Sequence, residues 1–532
     1  MLSTAAFDPL AMATTLVTAQ NLLGLAVLWI VYQVLKALYN VSPFHPLAHI
    51  PGPKLAAATY LPEFYHDVVL FGRYTHEIRD MHRKYGPIVR INPNEMHCND
   101  VNFSDDIYAV GGRKRDKPQH QINGAVLGKS GFGTRDHDLH RTRRIPLAKF
   151  FSRAMITRLE GDMHELVQKL CDKLLAESGK KEPVDVTVAY SCFTSDAISG
   201  YCFGESFGFL EQQGWYPNFR DPTAATLRIA FLLRFFPWCK YFMVVGHWLV
   251  DFLPTDIALL IQTMQIDMPI RVVKTKTDMD SGIQYKRPTV FGSLLHSELD
   301  PSEKEPQRLA DEAGAVIGAG TETASWALAV ITFHLLSKPH LLEKLQAELR
   351  QVVDGNNNTN SPKSLPPWSV LETLPYMNGV IQEGLRLSYG VSGRTARVAT
   401  HEDLVYRGTF GGNPVEYVIP RDYAVGMSAA VTHHDENAYP DSYEFIPERW
   451  MDGHSKKRDA ERASLAFSKG SRSCPGKSLA LAEMNLALAA LALRVLPHAA
   501  LYETTYDDVL YDHDMFIPRT RKESKGVRVK IN

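Results

Sequence analysis

At 532 residues, 45% hydrophobic and 22% charged, the chain is ordinary in composition and long enough for one large core or several small ones. A formal net charge of −1 excludes the strongly basic balance of a nucleic-acid binder. Six cysteines without a CxxC spacing exclude a disulfide framework, a zinc ribbon and a c-type haem attachment.

In chain order, the first predicted element is an apolar helix. No charged residue lies between Pro9 and Leu35, and the strongest stretch is Leu22–Tyr32, LLGLAVLWIVY. A helix over about residues 14–38 is long enough to span a bilayer, which takes roughly 20 residues. Residues 1–42 therefore read as a membrane anchor, with a buried or interfacial helix as the alternative. No positive charge precedes Lys36, which argues against a cleaved signal peptide. Lys36 and Lys54 follow the run, so the positive-inside bias places the rest of the chain in the cytosol. Residues 43–60 read as a proline-rich hinge whose Ile50-Pro51-Gly52-Pro53 stretch is stiff and non-helical, with a simple surface turn as the alternative.

Residues 61–532 read as one body, mainly α with a minor β component. Helical periodicity marks Ser152–Ser178, Pro306–Ser337, Pro339–Val353, Leu371–Leu387 and Pro475–Leu496. Strands are fewer and short, at Ile88–Ile91, Glu416–Ile419 and Val527–Ile531. Between helices, Asp354–Pro367 is an exposed loop.

Five cysteines read as small buried hydrophobes; Cys474 asks for more. It lies in Phe467–Gly476, FSKGSRSCPG. Gly470 permits a tight turn, Arg472 lies two residues before the cysteine, and Pro475 suits a first helical position. A cysteine at a helix start beside an arginine favours a thiolate, a soft ligand for iron. The pattern Phe467-x-x-Gly470-x-Arg472-x-Cys474-x-Gly476 resembles the haem-binding loop of the cytochrome P450 family. The resemblance implies the P450 fold, Cys474 as axial ligand of the iron of haem b, Phe467 packed near the thiolate, Gly476 in the loop and Arg472 on a haem propionate.

Three further stretches carry the same resemblance. Glu383-Gly384-Leu385-Arg386 matches ExxR, and its charges share a helix face. With Arg449 of Phe445–Trp450, FIPERW, they are expected to form a buried structural network. Ala319–Thr323, AGTET, resembles the oxygen-activation motif, with Thr323 and Glu322 as catalytic pair and proton relay. Gly314, Gly318 and Gly320 each cost about 1 kcal/mol inside a helix. They predict a distorted helix that approaches the haem closely; the alternative is a packing face of small residues. His140 and Arg144 resemble a WxxxR helix that touches the propionates, with His140 replacing tryptophan; a solvated basic face is the alternative. Arg397 and His433 match further propionate positions.

The resemblance implies a haem-thiolate monooxygenase that hydroxylates or epoxidises a lipophilic small molecule with dioxygen. The electrons come from NADPH through a separate NADPH–cytochrome P450 reductase, and the anchor lies in the endoplasmic reticulum. The phrasing of HDLHRTRR and IGAGTETASWALAVITFHLLSKP is similar to fungal members that oxidise terpenoids or polyketides, including trichodiene-oxygenase-like enzymes. An electron-independent haem-thiolate isomerase or dehydratase and a non-catalytic haem sensor are the rivals. An intact Glu322-Thr323 pair argues against the first, and the anchor against the second. A basic docking face is expected around Arg141, Arg143, Lys149, Lys469 and Lys477. Substrate-facing regions are expected at Asp105–Lys129, Gly204–Val250, Tyr389–Thr395 and around Met515 and Phe516.

Overall fold

The computed structural model describes residues 19–241, 258, 261–283, 285, 287–355 and 365–532. The first helix, α1 (Ala19–Val41), is one of two that are long and apolar enough to cross a membrane among the described residues. Its side chains stand away from the body, but its end is bolted down. The Arg90 guanidinium donates to Asn40 O at 2.9 Å, and Asn40 Nδ2 donates to Ala58 O at 2.8 Å. The hinge is thus not free to swivel, because a buried cation would lose its acceptors. The first residues of the expected helix, 14–18, lie outside the described residues.

Four helices organise the body: α2 (His137–Phe150), α3 (Val186–Phe203), α4 (Arg220–Phe235) and α5 (Pro306–Ser337). Pro306, without an N–H to waste, starts α5, and Lys338 before Pro339 leaves the helical conformation and ends it. Helix α3 is capped by Asp185, whose side chain accepts from Thr187 N, and closed by Gly204 at φ 84°. It is buried nearly all round, as a central helix must be. It locks to α5 by polar rungs: Tyr190 to Thr332 at 2.9 Å, Ser195 to Thr321 at 3.0 Å and Thr194 to Thr321 O at 3.0 Å.

The glycines of α5 have a different role from the one expected. The helix is regular α from end to end. A Cβ on Gly320 would lie 3.1 Å from Ile198 of α3, and one on Gly314 3.0 Å from Met264. The small residues admit close helix–helix packing, so the expectation of a distorted helix is corrected.

Helices α6 (Pro375–Ser388) and α7 (Lys477–Arg494) complete the core against α3 and α5. The expected helix Leu371–Leu387 is two pieces, because Pro375 opens a new one after Trp368–Leu371. Ser152–Ser178 likewise divides into Arg153–Thr157 and Glu160–Leu175. Buried Ile156, Leu159 and Met163 keep the apolar spacing across the break, which is why it reads as one helix.

The largest sheet holds β1 (Ile88–Asn92), β2 (Glu95–Cys98), β3 (Arg115–Asp116), β4 (Arg397–Ala399) and β5 (Ala424–Gly426) in the order β1-β2-β5-β4-β3. Only the β2–β5 pairing is parallel. Further on, β6 (His513–Met515) and β7 (Ile517–Arg519) form a tight hairpin with Phe516 at its tip.

Candidate active site

Backbone geometry shapes the cysteine loop. Gly470 has φ +75°, and a Cβ there would lie 2.2 Å from Tyr108 O, so only glycine fits. Cys474 N–H donates to Phe467 O at 2.9 Å, closing the turn. Phe467 is half-buried against the main core. Helix α7 begins at Lys477 with Gly476 as its N-cap. Pro475 therefore precedes the helix and does not open it. Burial pushes the Cys474 thiol up, opposed by a hydrogen bond from the Gly476 amide and by the charges of Arg144 and Lys477. The expected thiolate is thus not favoured by the helix start alone; a bound cation is what reverses that balance. Desolvated as it is, Cys474 still has exposed surface, so it faces an opening within the protein. Mid-helix in α5, Ala319 is exposed and Thr323 half-buried between buried neighbours, which marks an opening beside that helix too.

A cluster of cations lies deep in the same part of the chain. Buried Arg472 donates to the carbonyls of Arg115 (3.1 Å), Thr134 (2.8 Å) and Arg135 (2.6 Å). Buried Arg397 donates to Ala396 O at 2.9 Å and stacks 5.2 Å from the Tyr108 ring. Arg144 and His140 sit one turn apart on α2. Burial, then Arg472, Lys117, Arg144 and Arg397, push His140 down to about 2, so it is a neutral imidazole. Burial, then Arg397, push Arg472 down to about 10; only Asp116 and Asp136 oppose. Among the described residues no carboxylate lies within ion-pair distance of Arg144, Arg397, Arg472 or Lys117. A solvated basic face would not be desolvated in this way. Arg397 and Arg472 are buried and Arg144 and Lys117 half-buried, and desolvated cations without an ion-paired carboxylate call for an anionic ligand. A soft sulfur ligand together with this cation set fits haem, with its iron and two propionates. Lys117 is not singled out by the sequence; it falls in the stretch Asp105–Lys129, expected to face substrate.

On α5, Thr323 and Glu322 face different ways. The Thr323 hydroxyl donates to Ala319 O at 2.9 Å. Glu322 is buried and pairs with Arg519 at 3.4 Å and Arg220 at 3.5 Å. It lines a small cavity with Arg220, Trp326, Gly390 and Arg519. The acid is therefore held by β7 and α4, with a small cavity of mixed lining at its side.

The third assembly is self-contained. Arg386 Nε and Nη2 donate to Glu383, each at 2.8 Å, and Arg449 Nε and Trp450 Nε1 add bonds of 3.1 and 2.9 Å. Burial alone would push Glu383 up; Arg386 and Arg449 outweigh it, and the carboxyl stays below its usual range. His433 belongs here and not among the cations. Its Nδ1 meets Arg386 O at 2.7 Å and its Nε2 accepts from Leu465 N at 2.9 Å. Both ring nitrogens are occupied by backbone, so the expected propionate role of His433 is corrected.

A family model for cytochrome P450 matches residues 58–494. The chain belongs to the cytochrome P450 family. Cytochrome P450 monooxygenase ppzE of Metarhizium majus is 42% identical over 449 residues, 81% of this chain and 92% of that protein. Cytochrome P450 monooxygenase sdnE of Sordaria araneosa is 36% identical over 527 residues, 95% and 97% of the two chains. Cytochrome P450 monooxygenase TRI4 of Trichoderma arundinaceum is 35% identical over 515 residues, 94% of each. The P450 is accordingly an oxidoreductase of the haem monooxygenase class, and the isomerase and sensor readings are not favoured.

Of two expected surfaces of this P450, the basic face differs from expectation. In the basic face, Arg143 is spent on Glu303 by two bonds of 2.7 Å, and Lys469 on Ser104 Oγ and Arg462 O. Arg141, Lys149 and Lys477 remain exposed. Of the substrate-facing regions, residues 242–250 lie outside the described residues. At the hairpin tip, Phe516 meets Phe132 edge to face at 5.1 Å, supplying an apolar wall.

Proposed function

We propose that this P450 is a membrane-anchored monooxygenase with Cys474 as axial haem ligand, hydroxylating or epoxidising a lipophilic terpenoid or polyketide intermediate. The observation that carries the reading is the pairing of an accessible but desolvated Cys474 with desolvated cations that have no carboxylate at ion-pair distance among the described residues. Bound haem supplies dioxygen binding and oxygen-atom transfer. Arg144, Arg397 and Arg472 would hold its carboxylates, and neutral His140 would donate an N–H. The Gly476 amide hydrogen-bonds the sulfur and fixes its direction. Thr323 offers the lone pairs of Oγ1 to the reaction side while its proton is committed to Ala319 O. Glu322, beside a cavity and steered by Arg519 and Arg220, passes protons from water toward Thr323. Phe132 and Phe516 exclude water and favour apolar substrate. Glu383, Arg386 and Arg449 serve the architecture.

Residues 1–42 form a single-pass anchor in the endoplasmic reticulum, residues 43–60 the hinge and residues 61–532 the cytosolic catalytic domain. Exposed Leu61, Tyr65 and Val69 lie next to Phe64, which packs on Phe235 and Phe236 beside exposed Trp238. This apolar face extends the contact with lipid. Electrons arrive from NADPH through a separate reductase that docks by charge at Arg141, Lys149 and Lys477.

The test uses microsomes holding the full chain and a reductase, a panel of terpenoid and polyketide precursors, and ¹⁸O₂. NADPH-dependent incorporation of one labelled oxygen supports the reading. Conversion of substrate without NADPH or label overturns it in favour of an isomerase.

A further inference from the structure

The cation cluster contains a member that no motif names. Lys117 follows β3, and its backbone N–H donates to Arg135 O at 3.1 Å. The same carbonyl accepts Arg472 Nη2 at 2.6 Å, so Lys117 and Arg472 hang from one acceptor. Lys117 Nζ donates to Phe132 O at 2.6 Å and lies 3.8 Å from the centre of the Phe132 ring. A lysine ammonium carries three donors, and the one bond to protein leaves two. The contrast with Lys114, three residues earlier, is direct. Lys114 pairs with Asp138, whereas Lys117, equally half-buried, stands in the field of Arg397 and Arg472 and has no carboxylate partner among the described residues.

We propose that Lys117 is a haem-binding residue, its ammonium pairing with a propionate carboxylate alongside Arg397 and Arg472 and held in aim by Phe132. The assignment rests on the haem reading above. Burial, then Arg397 and Arg472, hold the Lys117 ammonium well below its ordinary range. A propionate supplies a counter-charge that opposes that shift. Phe132 also touches Phe516, so the same lysine ties the seat of the haem to the apolar wall over it.

The test compares purified full-length holoenzymes: wild type, Lys117→Met, Lys117→Arg and Lys114→Met. Haem loss is followed by transfer to excess apomyoglobin, and the midpoint potential by spectroelectrochemical titration. Lys117→Met is expected to lose haem at least about fivefold faster, as befits a charge-assisted bond. Its potential is expected to fall, because a nearby cation stabilises the added electron. Lys117→Arg and Lys114→Met stay near wild type. Loss rate and potential unchanged in Lys117→Met would overturn the assignment. Should that variant not fold, acylation of wild type with and without haem decides the matter. Protection of Lys117 by haem, with Lys114 labelled equally in both, supports the pairing, and equal labelling of Lys117 overturns it. A wild type that takes up no haem is a different failure, that of the haem reading itself.

Discussion

Two buried charge assemblies share this molecule and are built on opposite plans. Around Glu383, one carboxylate meets Arg386, Arg449 and Trp450, and the remaining guanidinium donors end on the carbonyls of His433, Ser442, Glu444 and Pro440. That assembly is complete without a ligand. Around Arg472, four cations and a neutral imidazole crowd together with no carboxylate at ion-pair distance among the described residues, and Arg472 itself is held by backbone carbonyls. Buried charge by itself therefore does not mark a binding site; buried charge of one sign does. The first assembly holds the fold, and the second suits an anionic ligand.

The largest expected effect comes from breaking the complete assembly. Glu383→Ala leaves Arg386 and Arg449 buried without their acid, which costs about 3–5 kcal/mol. Thermal unfolding of that variant should show the loss whether or not haem is supplied. Next is a pH effect in the same assembly. Burial lowers His433 from its ordinary 6.5 to about 4. With the folded value below the unfolded one, the unfolded chain takes up this proton first as pH falls. Stability from this group is intact above pH 6.5 and is lost progressively toward pH 4, by about 3 kcal/mol in all. Urea unfolding across that range should show the decline, and His433→Gln should flatten it.

Glu322 stands between the two plans, an acid paired with arginines but open to a cavity. Glu322→Gln should fold and bind haem normally yet turn over about 100-fold more slowly, the scale of a lost proton donor. Product formed per NADPH consumed is the measurement. The smallest effect sharpens the contrast most. Arg397→Ala should speed haem loss about tenfold, the scale of a charge-assisted bond, while the melting temperature of the haem-free protein does not fall. A drop in the haem-free protein as large as that of Glu383→Ala would erase the distinction between the assemblies.

The parts legible in the sequence are those in which local chemistry forces the outcome. Pro306 and Pro339 bound the longest body helix because proline dictates where helices begin and end. Gly470 and Cys474 stand in a loop whose turn admits no other residue at the glycine. Glu383 and Arg386 meet because helical geometry places them on one face. The rest depends on distant partners. Lys117 sits in a charged run indistinguishable from a surface loop until Arg135 and Arg472 fold onto it. His433 fits a family position, but its ring is claimed by the backbone of Arg386 and Leu465, residues 47 and 32 positions away in the chain. Gly314 and Gly320 look like a helix distortion because composition does not reveal that Ile198 and Met264 press against them. The strands β2, β4 and β5, of three or four residues each, are too short to carry a period.

The most direct test of the central claim is the carbon monoxide difference spectrum of the reduced, purified protein beside that of Cys474→Ala. The account predicts a strongly red-shifted Soret band in the wild type that is lost in the variant. Folded, haem-loaded wild type without that band, or a variant that keeps it, would contradict thiolate ligation by Cys474.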